Sequence, residues 1–196
     1  MSDVRKILVT GASGYVGGRL VTSLLEDGAQ VRVFVRDVNE AQSHSWASKV
    51  EIAVGNASDY QSTVKALTGI HTAFYLLHSI NSGTNFDKIE SQMARNFAKA
   101  AQEANVKQII YLGGINNDAK TSKHLKSRAN TGKELATTDV AVLELRAGII
   151  IGSGSASFEM LRHLTHRLPI MTGQRQRAAA RHRRPRQDAV DGHARQ

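Results

Sequence analysis

Val9-Thr10-Gly11-Ala12-Ser13-Gly14-Tyr15-Val16-Gly17-Gly18 decides how this chain is read, because it joins the apolar run Ile7-Leu8-Val9 to the amphipathic segment Arg19–Glu26. It spells a strand, a glycine turn and the start of a helix. A helix N-terminus presents unpaired backbone N–H groups and the positive end of the macrodipole, which suits such a turn to a diphosphate. In this reading Gly11 takes the positive φ of the turn, Gly14 lets phosphate approach without a Cβ in the way, and Gly17 lets the helix pack on the strand. The spacing is G-x-x-G-x-x-G rather than the commoner G-x-G-x-x-G, so context has to carry the assignment. An ordinary β-to-α turn is the plain alternative. Against it stand the strand before, the helix after and a second strand at βαβ distance.

That second strand is Val31-Arg32-Val33-Phe34-Val35, alternating and β-branched, after the loop Asp27-Gly28-Ala29-Gln30. Arg36 and Asp37 stand at its C-terminal end, where a dinucleotide fold meets the adenosine ribose. An acid there accepts hydrogen bonds from the ribose hydroxyls, whereas an arginine pairs with a 2′-phosphate. With Arg36 first, the reading favours NADP(H); Asp37 keeps NAD(H) open. A solvated loop charge is the competing reading of Arg36.

The remaining strands follow in alternation with helices. Val50–Val54 ends at Gly55-Asn56-Ala57-Ser58-Asp59, where Asn56 is placed to hydrogen-bond an adenine and Ser58 or Asp59 to cap the helix running to Leu67. Trp46, on a short helical stretch before it, is expected to pack on the sheet edge rather than stack on a ligand. Thr72-Ala73-Phe74-Tyr75-Leu76-Leu77 reads as a strand buried on both faces, with His78 and Ser79 at its carboxyl end, the rim where open α/β sheets bind ligands. Phe86, Ile89, Met93, Phe97 and Ala100 or Ala101 form a helical stripe expected to be core. Gln108–Leu112 is a fifth strand ending in Gly113-Gly114, a helix is expected over about 122–137, and Val140–Leu145 is a sixth strand. The alternation predicts an α/β fold: a Rossmann-type, doubly wound parallel sheet with helices on both faces. Beyond it, Arg146–Gly154 reads as a glycine-punctuated loop and Phe158–Leu168 as an amphipathic helix.

Composition bounds the rest. A length of 196 residues suits one domain, read here over residues 1–173, and 41% hydrophobic residues suit a packed core. No run approaches the ~20 apolar residues of a membrane span, and Met1–Lys6 leads into the first strand without an apolar leader. The absence of cysteine excludes a disulfide framework, a thiolate zinc site and a cysteine nucleophile, and no metal site is expected. A cytoplasmic setting is the simplest expectation. The net charge of +9 is concentrated at the end of the chain, where seven arginines face only Asp188 and Asp191 between residues 174 and 196. Nucleic acid is therefore not an expected partner of the domain. Val190 is the only large apolar residue of that tail, so disorder is expected there.

Four marks then combine: Thr10–Gly17, the rim Tyr75-Leu76-Leu77-His78-Ser79, Tyr111-Leu112-Gly113-Gly114, and Leu145–Gly154. Through them the chain, over about residues 5–173, resembles the atypical and extended short-chain dehydrogenase/reductases, especially the YbjT-like and NmrA-like NAD(P)-binding proteins. The resemblance implies that Gly11, Ser13, Gly14, Tyr15, Val16 and Gly17 line the pyrophosphate, that Arg36 meets the 2′-phosphate beside Asp37, the other cofactor-binding candidate there, and that Asn56 meets the adenine. It implies that Leu76, Leu77 and His78 line the adenosine and nicotinamide side. It also implies either an oxidoreductase acting on a small-molecule substrate or a redox sensor that holds NADP(H) and signals to a protein partner. Standard members protonate their substrate with a tyrosine followed four residues on by a lysine, assisted by a serine after strand five. Here Lys123-His124-Leu125-Lys126-Ser127-Arg128 stands at that place, with His124 for the tyrosine, Arg128 for the lysine and Gly113-Gly114 near the serine. His124, with an ordinary imidazole pKa of about 6.5, is the candidate proton donor; a solvated helix face is its competing reading. Arg128 stays protonated, so it holds charge and relays no proton. Extended members continue into a C-terminal substrate portion. This chain is expected to be truncated there, with residues 174–196 foreign or out of frame.

Overall fold

The computed structural model describes residues 5–78, 86–115, 123–148, 150, 152 and 155, without the side chains of Phe86, Lys123 and His124. All belong to one compact unit, Met1–Glu159. Ser79, the expected helix Phe158–Leu168 and the basic tail lie outside the described residues.

The elements alternate as β1 (Lys6–Thr10), α1 (Tyr15–Glu26), β2 (Gln30–Val35), α2 (Val38–Gln42), a 3-10 turn (Ala47–Lys49), β3 (Glu51–Val54), α3 (Tyr60–Leu67), β4 (Thr72–Tyr75), α4 (Phe86–Glu103), β5 (Gln108–Gly114), α5 (Lys123–Leu135) and β6 (Ala141–Ala147). They form one six-stranded sheet in the order β3-β2-β1-β4-β5-β6, with every pairing parallel. This is the doubly wound order expected from the alternation. The direction of winding reverses between β1 and β4, where Ile7, Leu8 and Val9 pair with Thr72, Ala73 and Phe74.

Strand alternation divides the core between the two faces of the sheet. Leu8, Tyr75, Ile109 and Tyr111 face α3, α4 and α5, meeting Leu67, Phe97 and Leu135. Val9, Val31 and Val33 face the other way, onto Ala12, Val21, Ala41 and Trp46. The Phe97 ring meets Tyr75 edge-on with centroids 5.0 Å apart, and burying such a ring contributes roughly 1.5–3 kcal/mol.

Several boundaries differ from the sequence expectation. α1 begins at Tyr15, inside the stretch read as the helix start, capped by the extended backbone of Gly14 with no side-chain hydrogen bond. β4 stops at Tyr75, two residues short of Leu77, because Thr10 Oγ1 donates to the Phe74 carbonyl and accepts from the Leu76 N–H, replacing the ladder there. β6 extends to Ala147, so Arg146 is a strand residue paired with Glu144 at 3.0 Å and not part of a loop. Trp46 is buried near Gly18 of α1, in a cluster against which Val50 and Ile52 at the edge strand β3 also pack. The apolar stripe of α4 holds at Met93, Phe97, Ala100 and Ala101, which pack in the core, but not at Ile89. Ile89, expected in the core, is 43% exposed, while Glu90 is buried in register with Ala94, Phe97 and Ala101.

Candidate dinucleotide site

The carboxyl end of β1 turns into α1 through four residues, and backbone geometry dictates which residues fit. Gly11 has φ +66°, and a Cβ there would stand 2.9 Å from the Leu76 carbonyl oxygen. A Cβ on Gly17 would run into the Gly11 carbonyl and lie 2.9 Å from Ala12 Cα. The turn is thus pressed onto the segment after β4 on one side and onto its own helix on the other. Gly14 N donates to the Gly11 carbonyl at 3.0 Å, and the first helical bond runs from Gly18 N to Gly14 O at 2.9 Å. The N–H groups of Tyr15, Val16 and Gly17 precede that bond and have no acceptor among the described residues. Ser13 and Gly14 are exposed beside them. A bare helix N-terminus with a glycine lip fits an anionic diphosphate on geometry alone.

Tyr15 is held on both sides. The Arg19 guanidinium lies 3.8 Å from its ring centroid, and its hydroxyl stands where a Cβ on Gly152 would be, so Gly152 lies against Tyr15. On the outer side of the turn, a cavity of about 540 Å³ runs between α1 at Tyr15, Arg19 and Thr22 and the stacked pair His44–Trp46.

The ends of β2 and β3 supply the second wall. Arg36 is exposed and makes no ion pair among the described residues. Asp37 caps α2, its Oδ1 accepting from Asn39 N at 2.8 Å. Asn56 Oδ1 accepts from Ser58 N at 3.0 Å, leaving the amide donors without a partner among the described residues. The expected cap of α3 is Asp59, which accepts from Gln61 N and Ser62 N at 3.1 and 3.3 Å.

The third wall follows β4. Leu76 packs with the α1-side core and Leu77 with the opposite one, so these two side chains diverge and only part of the pair faces the crevice. His78 is largely buried at the rim. Burial pushes its imidazole down to about 4, the Arg128 guanidinium pushes the same way, and Glu90 opposes them. Arg128 brings its side chain from α5 to β5, where a Cβ on Gly114 would lie 3.3 Å from Arg128 Cδ. The Tyr111 hydroxyl donates to the Arg128 carbonyl at 2.9 Å and is pushed up to about 12, by burial first. Tyr75, also buried, is pushed higher still. Both phenols therefore stay protonated at neutral pH. His124 lies in the first turn of α5, and its side chain is outside the described residues. No cluster of metal-ligating side chains occurs among the described residues.

The glycine turn, Arg36, Asn56, His78 and Gly114 follow or end the carboxyl ends of parallel strands around the β1/β4 reversal, the crevice where such sheets bind ligands. Sequence reasoning missed two contributors. Thr10 ends an otherwise apolar strand, and a buried hydroxyl there was a readable signal. Glu90 is an acid in register with Phe97 and Ala101, legible only once the register of α4 is known.

The family model for NAD(P)H-binding domains matches residues 11–145. The chain is 30% identical over 120 residues to the 3-beta-hydroxysteroid dehydrogenase of Mycolicibacterium neoaurum, covering 56% of this chain and 32% of that protein. It is 25% identical over 174 residues to the ceramide reductase of Caulobacter vibrioides, covering 87% of this chain and 54% of that one. Among solved structures it superposes on the Citrobacter sp. triphenylmethane reductase complexed with NADP(H), with a TM-score of 0.67 and 26% identity over 83% of this chain and 55% of that one. The chain spans about half the length of these relatives, or less. A glycine cradle at the winding reversal and a family match across most of the sheet lead to one conclusion: this chain belongs to the NAD(P)H-binding family.

Proposed function

We propose that this chain binds NADP(H) in preference to NAD(H) and acts as an oxidoreductase on a small carbonyl compound or a chemical relative of one. The observation that supports the coenzyme preference is the unequal state of two neighbours. Asp37 commits a carboxylate oxygen to capping α2, whereas Arg36 is exposed and without an ion pair among the described residues. An arginine in that state offers a bidentate match to a 2′-phosphate. The N–H groups of Tyr15, Val16 and Gly17, with Ser13 at the lip, hold the diphosphate; Asn56 donates to the adenine; Leu76 and His78 wall the nicotinamide side. When bound, the coenzyme supplies or accepts a hydride. On the substrate side Arg128 stabilises negative charge developing on a substrate oxygen, and His124 is the proton donor. Titration calorimetry of the purified chain tests this: NADPH is expected to bind at least about tenfold more tightly than NADH. Equal affinities would overturn the preference, and no heat with either coenzyme would overturn the site.

A second reading has its own support. The chain has no tyrosine followed four residues on by lysine, and Gly113-Gly114 stands near the serine position, which favours a sensor that holds NADP(H) and signals to a protein partner without turnover. NADPH consumption across a panel of carbonyl compounds, lost in His124→Ala, supports the enzyme. Tight coenzyme binding with no consumption supports the sensor. The cysteine-free composition supports a reducing, cytoplasmic setting for either.

A further inference from the structure

β6 is the last strand of the sheet, and among the described residues no strand pairs with its outer side. An open edge offers unpaired N–H and C=O groups to another chain, and proteins blunt such edges with charge, proline or shortness. The opposite edge, β3, is blunted: it has four residues, and its Glu51 pairs with Lys6 at 3.1 Å and Arg32 at 2.8 Å. β6 has seven residues with no proline or lysine, and its Leu143 and Leu145 are 45% and 48% exposed. Its side chains divide by alternation. Leu143, Leu145 and Ala147 share one face; Val142, packed on the core of the α3–α5 side, shares the other with Glu144 and Arg146. Arg146 donates to Glu144 at 3.0 Å and keeps most of its side chain in solvent. Backbone direction alternates too. The Ala147 carbonyl accepts from Ile115 N at 3.1 Å, on the β5 side, so the N–H and C=O groups of Leu143 and Leu145 also turn toward β5, and those of Glu144 and Arg146 turn outward.

We propose that β6 is a docking edge for a second copy of this chain, paired antiparallel about a two-fold axis at Leu145. In that register Leu145 stands opposite itself, and Glu144 of each copy stands opposite Arg146 of the other. The outward backbones of Glu144 and Arg146 then exchange both hydrogen bonds, as the hydrogen-bonded pair of an antiparallel ladder requires. On their face four charges form a square in which every neighbour has the opposite sign. On the other face Leu143, Leu145 and Ala147 of the two copies join into one apolar strip, taking exposed leucine surface out of water. Other registers lose this match. An axis at Glu144 or at Arg146 sets like charges opposite each other, and an axis at Leu143 leaves Arg146 with no acid opposite. The result is an isologous dimer with a continuous sheet of twelve strands, six from each copy. The β1/β4 crevice of each copy lies away from the joint, so the inference goes beyond the proposed function and does not rest on it.

The cysteine-free sequence makes the register testable in the full chain. In a non-hydrogen-bonded antiparallel pair the two Cα atoms are about 4.5 Å apart, within the span of a disulfide, so Leu145→Cys is expected to give a covalent dimer on oxidation with diamide. Leu143→Cys, similarly exposed, lies about 14 Å from its own copy in this register and is expected to cross-link at least about tenfold more slowly. Equal rates overturn the proposal, because random collision does not distinguish the two positions. Light scattering on the unsubstituted chain is expected to show the mass rising with concentration from one chain to two and no further. Arg146→Glu, at an exposed position, is expected to weaken this association about tenfold or more. Mixing it with Glu144→Arg is expected to restore the dimer, since the mixed pair again sets opposite charges against each other. The cysteine pair decides the register even if Glu144→Arg fails to fold. A chain that stays monomeric at every concentration, as it does if a later part of the same chain covers β6, overturns the proposal; so does open-ended growth indifferent to the charge reversal.

Discussion

Gly11 and Gly14 sit three residues apart in one turn and are needed for different reasons. Gly11 is required by the chain itself, through its φ of +66° and the Leu76 carbonyl 2.9 Å from where a Cβ would be. Gly11→Ala is therefore expected to destabilise the protein by about 1–3 kcal/mol in urea unfolding, whether or not coenzyme is present. Gly14 has an extended backbone, and a Cβ there would be 3.2 Å from the Gly11 carbonyl and otherwise clear. Gly14→Ala is expected to change stability by less than about 1 kcal/mol and yet weaken coenzyme binding at least about tenfold, because the added methyl occupies the diphosphate's approach. Equal losses of stability in the two variants would defeat this division. Arg36→Ala is expected to weaken NADPH about tenfold or more and to leave NADH unchanged, measured by calorimetry. These residues were legible in the sequence because a turn is local chemistry, and three glycines at fixed spacing after an apolar run leave few alternatives. His78 was legible as a rim residue. That its imidazole is held neutral was not, since its burial, first, and the charge of Arg128 depend on parts of the chain far from it in sequence.

At the scale of elements, the ends proved harder to read than the elements. Every strand and helix expected within the described residues is present, yet β4 ends early because a hydroxyl from another strand takes over its hydrogen bonds, which no pattern within β4 announces. α4 keeps most of its expected stripe, with Met93, Phe97, Ala100 and Ala101 in the core, but Ile89 gives way to Glu90 and Ala94, a choice made by what packs on the helix and not by its own spacing. Ile89→Gln is accordingly expected to change stability by less than about 0.5 kcal/mol, as for other exposed positions. A loss above about 1.5 kcal/mol on thermal or urea unfolding would return Ile89 to the core. Asp59, by contrast, satisfies two backbone N–H groups at the start of α3. Asp59→Ala is expected to cost about 1 kcal/mol, and Asp59→Asn much less, because the amide oxygen still caps.

For the molecule as a whole, the parallel, doubly wound class of sheet was legible from alternation, since a strand–helix–strand rhythm with right-handed crossovers permits few arrangements. How stability depends on pH did not. His78 titrates at about 4 in the folded protein and near its ordinary 6.5 when unfolded. The unfolded chain therefore takes up that proton first as pH falls, so the contribution is flat above about pH 6.5, destabilises progressively below it and levels off below about pH 4. The total is about 3 kcal/mol, and His78→Asn is expected to remove it from the pH dependence of urea unfolding; an unchanged slope would show that the imidazole is wetter than described. The parallel sheet has a last consequence, in time rather than energy. No two described neighbouring strands are joined by a hairpin, and the central pairing has to bring Ile7 to Thr72. Refolding from denaturant has no short-range ladder to start from, so it is paced by a search over long chain separations. While that search lasts, β1, apolar on both sides, lies open to other molecules, and refolding yield is expected to fall as protein concentration rises.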